Sequence, residues 1–146
     1  MISQKEYNEW FKDMLLKFPL KHQYEITEEV YEETQYLNVK ILHPTESEKN
    51  IVISTYGREL TLFIWKHHEH HDSFEDGDHE NEFKELSDYI DDIINDKVFF
   101  STGYRGDTMV YGTASYDLED LVEDRAEKIE IKSWSGNQDQ TIENEG

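Results

Sequence analysis

The sequence contains no cysteine, which excludes disulfide cross-links and thiol chemistry. It has no apolar run near the roughly 18 residues of a membrane-spanning helix. Its first residues, Met1-Ile2-Ser3-Gln4-Lys5-Glu6, lack the basic and apolar regions of a secretory signal. These absences together point to the cytoplasm. Basic residues are scarce, with 14 Lys and Arg against 34 Asp and Glu, a formal net charge of −20. A field of that sign repels nucleic acid and anionic membranes and attracts basic proteins and cations. There is no Gly-x-Ser-x-Gly turn and no glycine loop of the kind that cradles phosphate. Gly103 and Gly106 flank Tyr104-Arg105 as a hairpin turn would, and the tripeptide Arg105-Gly106-Asp107 reads as chance in a cytoplasmic chain. Paired carboxylates carry no catalytic signal here, because among 34 acids some pair always lies close. The chain therefore reads as a binding protein rather than an enzyme, with no cofactor.

What is present suffices for one compact domain of 146 residues. Hydrophobic residues are 36% of the chain, and aromatics, at 13%, can fill a core. A helix is predicted from about Gln4 to Lys17. Ser3 and Glu6 form a capping box before it, and Tyr7, Trp10, Phe11, Met14, Leu15 and Phe18 make one apolar stripe. Strands are predicted at Gln23–Glu28, Thr34–Leu42, Ile51–Tyr56 and Glu59–Lys66, the last two joined by a turn at Gly57-Arg58. In the fourth strand Leu60, Leu62 and Ile64 share one face and Thr61, Phe63 and Trp65 the other, which suggests a central strand covered on both sides. A polar loop is expected from His67 to His79. A second helix follows, from about Glu80 to Asp96, with Phe83, Leu86, Ile90, Ile93 and Ile94 on one side. Val98–Tyr104 and Thr108–Ser115 read as a hairpin, Asp117–Asp124 as a helical turn and Lys128–Trp134 as a last strand. The expected fold is α+β: a single domain over 1–134, mainly an antiparallel sheet with the N-terminal helix and the second amphipathic helix packed on it. Residues 135–146 read as a polar disordered tail.

Two constellations stand out. His67, His68, His70 and His71 fall within five residues among several carboxylates, donors that suit zinc, nickel or copper. The run His68-Glu69-His70-His71 is one residue short of the helical zinc-protease motif. An exposed loop with incidental histidines explains it as well, and a metal-binding protein or metal-dependent enzyme is the alternative it leaves open. The second constellation is the acidic surface. From Glu69 to Asp96 there are twelve acids and one base, Lys84, about −11 in one loop and one helix face. A solvated helix face is the ordinary explanation of such a run. Against it, the second helix reads as lacking the i,i+4 Glu–Lys pairs that a merely solvated helix tends to carry. Glu75, Asp76, Asp78, Glu82, Glu85, Asp88 and Asp92 are the candidate partner-binding residues. Such a patch steers a basic partner and can imitate the phosphates a nuclease expects. The same surface would suit a mimic acting on a host DNA-binding protein.

The aromatic first helix around Trp10-Phe11 resembles that of the immunity proteins (antitoxins) of bacterial polymorphic toxin systems, especially partners of LXG-domain toxins. The run Glu59-Leu60-Thr61-Leu62-Phe63-Ile64-Trp65 entering a His/Asp-rich segment, the acidic second helix and the hairpin from Val98 to Ser115 share that profile. The resemblance covers about residues 4–134. It implies neutralisation of a cognate toxin domain, often a nuclease, by tight one-to-one binding.

Overall fold

A computed structural model describes residues 2–73, 78–122 and 125–143. The chain is α+β: the described residues form two α-helices and two sheets that are antiparallel throughout. It divides into two compact units, Met1–Asp88 and Tyr89–Gly146. No helix among the described residues is long and apolar enough to cross a membrane.

The first unit opens with α1, Gln4–Lys17, started as the sequence indicates. Ser3 Oγ accepts from the Glu6 amide at 3.1 Å, and the Glu6 carboxylate accepts from the Ser3 amide at 3.1 Å. Tyr7, Phe11, Met14 and Leu15 are buried, each such side chain contributing about 1.5–3 kcal/mol by leaving water. The helix lies against β2 of a five-stranded sheet ordered β1-β2-β3-β4-β5. The strands are β1 (Glu25–Tyr31), β2 (Thr34–Ile41), β3 (Ile51–Ser54), β4 (Glu59–Ile64) and β5 (His67–Ser73). Leu37, Val39, Ile41, Ile51, Ile53, Leu60, Leu62 and Ile64 alternate onto one face and are almost wholly buried.

Three local expectations change. The segment from His67 is not a loop at its start but strand β5, paired to β4 with Phe63 opposite His68 and Thr61 opposite His70. The β3–β4 turn centres on Tyr56-Gly57, since the Arg58 amide donates to the Thr55 carbonyl at 3.2 Å, and Gly57 takes a φ of 77°. Trp65 belongs to the β4–β5 turn, with a φ of 52°, rather than to a covered strand face. β4 is interior to the sheet, yet its second face is only partly covered: Thr61 is buried there, whereas Phe63 is 43% exposed.

The second helix, α2, spans His79–Ile94, with Asp78 as its N-cap: the Asn81 amide donates to Asp78 Oδ1 at 3.1 Å. Within the first unit Phe83 of α2 meets Trp10 and Phe11 edge-on.

The second unit takes in the end of α2, which closes with Lys97 N–H on the Asp92 carbonyl and Asp96 N–H on that of Ile93, around a left-handed Asp96. Its sheet is ordered β7-β6-β8-β9, from β6 (Phe99–Arg105), β7 (Thr108–Ser115), β8 (Lys128–Lys132) and β9 (Gln140–Glu143). The expected disordered tail from Ser135 therefore contains a strand. Ile142 is its one apolar residue; it pairs with Ile129 and packs on the cluster of Tyr111, Leu121, Ala126, Ile129 and Ile131. Tyr111 lies across Gly103, its direct partner in β6. Its hydroxyl and that of Ser101 both donate to the Leu121 carbonyl, at 3.2 and 3.1 Å.

Candidate functional site

Of the seven acidic positions singled out, Glu75 and Asp76 lie outside the described residues. The other five do not act alike. Asp78 is exposed but committed to capping α2. Glu82 is only partly exposed. Glu85 and Asp88 are both exposed, and Glu85 Oε1 accepts from the Asn81 side-chain Nδ2 at 3.0 Å. Asp92, in the second unit, accepts from the Tyr116 hydroxyl at 2.9 Å, and Lys97 Nζ stands 4.0 Å from it. The helix is also not without opposite-charge pairing. Lys84 Nζ is 3.5 Å from Glu80, an i,i+4 pair, and also lies 4.4 Å from the Phe18 ring centre. Lys17 adds a second cation to Glu80 at 3.3 Å. The expectation of an unpaired helix fails because Glu80 sits in its first turn, within reach of both lysines. Both pairs are exposed and contribute little to stability, at most about 1 kcal/mol each. Among the described residues singled out in the first unit, Glu85 and Asp88 are thus the carboxylates of α2 held out to solvent without an ion pair or a capping role.

The histidines, placed on β5, separate by strand alternation into two sets. His67 and His71 share a face with Glu69, and each Nε2 addresses one of its oxygens, at 2.8 and 2.9 Å. His68 and His70 point to the other face. His68 stacks on Phe63 with ring centres 5.9 Å apart, and His70 Nδ1 lies 3.0 Å from both Glu59 Oε1 and the Thr61 hydroxyl. The four rings therefore do not converge. Among the described residues no group of three or more His, Asp or Glu side chains is arranged to hold a metal ion. The metal-centred alternative gains no support among them.

The outer face of the first sheet carries a feature that sequence reasoning missed. Opposite the buried face stand Tyr36, Asn38 and Lys40 of β2, Val52 and Ser54 of β3, and Thr61 and Phe63 of β4. Tyr31 ends β1 on the same side, and Tyr56 reaches it from the β3–β4 turn. Tyr56 meets Tyr31 and Tyr36 edge-on, at 5.5 and 5.3 Å. With Phe63 these rings wall an open hollow of about 440 Å³, with Asn38 and Ser54 also lining it. Asn38 Oδ1 is shut off from solvent without a hydrogen-bond partner. The alternation of Tyr36 and Asn38 with Leu37 and Val39 was the available signal, but it cannot say which face another layer covers.

Comparison with family models, with curated proteins and with solved structures returned no match.

Proposed function

We propose that the protein binds a basic partner protein in the cytoplasm through its acidic surface, as an immunity protein binds and neutralises a toxin domain, a nuclease being the fitting class. The observation that carries the reading is the net charge of −20, with carboxylates such as Glu85 and Asp88 held in solvent on a helix whose apolar side is buried. Lys84, the one base on that stretch, is occupied by Glu80 and the Phe18 ring. A surface of this kind accelerates encounter with a cationic partner and weakens as salt rises. Binding rather than catalysis is the activity proposed.

The test is a pull-down with this chain as bait, from cells that also express its gene neighbours. A basic protein recovered at one-to-one stoichiometry, released by salt and bound at least about tenfold more weakly by the Glu85→Lys, Asp88→Lys double variant, supports the reading. Undiminished binding by that variant, or recovery of no basic protein, overturns it. Asp78 is left intact, because losing the cap would cost the helix about 1 kcal/mol and confuse folding with binding.

A further inference from the structure

We propose that the aromatic outer face of the first sheet is a docking surface for arginine side chains of a basic polypeptide. The inference rests on the reading above for the sign of the partner's charge, but it places the contact on a different surface.

Four rings are assembled there at the cost of leaving apolar area in water. Tyr31 is 55% exposed, Phe63 43% and Tyr56 40%. Isolated exposed apolar residues need no explanation, but rings gathered around a hollow mark an interaction site. The surroundings select the occupant. On β1, Glu29 faces outward directly opposite Tyr36, whereas Glu25, on the same face, stands opposite Lys40 and away from the rings. Glu32 and Glu33 in the β1–β2 turn are exposed just beyond Tyr31. Flat rings flanked by carboxylates suit a guanidinium, which stacks on an aromatic face while its N–H groups reach the acids. Asn38 Oδ1 adds an acceptor that an N–H entering the hollow, with a small shift of its walls, would satisfy. A sheet face with exposed rings also suits the bases of single-stranded nucleic acid, but the same glutamates and a chain charge of −20 oppose phosphate. A second copy of this chain meets the same repulsion.

The experiment titrates the full chain, isotope-labelled for NMR, with a synthetic peptide of alternating arginine and glycine at physiological ionic strength. A lysine–glycine peptide and a single-stranded oligothymidylate are run beside it. The expected result is that shift changes centre on Tyr31, Tyr36, Tyr56 and Phe63, and that the arginine peptide binds more tightly than the lysine one. Replacing Tyr31, Tyr56 or Phe63 singly by serine should weaken the arginine peptide roughly two- to five-fold, and all three together by at least about tenfold. These three side chains are exposed, and unchanged amide spectra elsewhere will show that each variant is folded. Shifts confined to α2 and indifferent to the serine variants overturn the inference while leaving the acidic-helix reading standing. Shifts of the same tyrosines by oligothymidylate but not by the arginine peptide overturn it in favour of nucleic acid. No binding of the arginine peptide overturns it as well.

Discussion

Gly103→Ala is expected to disrupt the second unit, because Tyr111 occupies the space a side chain at position 103 would need. A Cβ built there lies 2.5 Å from Tyr111 Cδ1 and 2.6 Å from Cζ, against ordinary carbon–carbon contacts of about 3.5–4.0 Å. The ring must swing off the strand. It is only 8% exposed, its hydroxyl is held by the Leu121 carbonyl, and the Arg125 guanidinium lies 4.8 Å from its centre. Losing the hydrogen bond costs about 1 kcal/mol, and exposing part of a buried aromatic about 2 kcal/mol more. Alanine is better than glycine in a strand by roughly 0.5–1 kcal/mol, which offsets some of this. The net expectation is destabilisation of about 2–3 kcal/mol. Urea unfolding, with amide exchange read at β6 and β7, measures it. In a Tyr111→Ala background the same change should be neutral or stabilising by about 0.5 kcal/mol, because the obstacle is gone. A cost below about 0.5 kcal/mol in the wild-type chain, or an equal cost in both backgrounds, refutes the reasoning.

Two further predictions concern the first unit. Glu32 and Glu33 turn β1 into β2 with φ of 47° and 67°, a conformation that favours Asn-Gly; the Glu32→Asn, Glu33→Gly double variant should be more stable by about 1 kcal/mol, and a melting temperature that stays level or falls contradicts this. Lys49 is 1% exposed with its ammonium 3.0 Å from Glu46, itself 37% exposed. Discounted for solvent on that side, Glu46→Gln should cost about 1 kcal/mol and Lys49→Met close to nothing, as read from denaturant midpoints; a Lys49→Met loss above about 3 kcal/mol shows that the pair matters more than burial alone implies.

The helices were legible because their signals are local. The Ser3–Glu6 box and the stripe through Tyr7, Phe11 and Met14 depend on near neighbours only. The Gln4–Lys17 helix came out with its bounds, and the second within two residues. The strands of the first sheet's core were legible by alternation. β5 was not, because His67 to Asp72 shows no contrast in hydropathy between its faces; its extension is imposed by the β4 backbone beside it. β9 hid for the same reason, with Ile142 its one apolar residue. The acidic positions were visible as charge, but whether each carboxylate faces water, caps a helix or meets a tyrosine is decided by residues far away in sequence. Asp92 and Tyr116, 24 positions apart, are an example.

The first sheet ends on one side in β1, which carries Glu25, Glu28 and Glu29, and on the other in β5, which carries histidines and Glu69. Strand edges are where sheets of neighbouring molecules fuse, and polar or charged borders discourage it. A molecule that displays exposed rings on a sheet is at risk of growing sideways into stacks with itself. Here the rim is guarded and the middle is open, so approach is channelled onto the broad side of the sheet, where side chains rather than backbone select what is admitted.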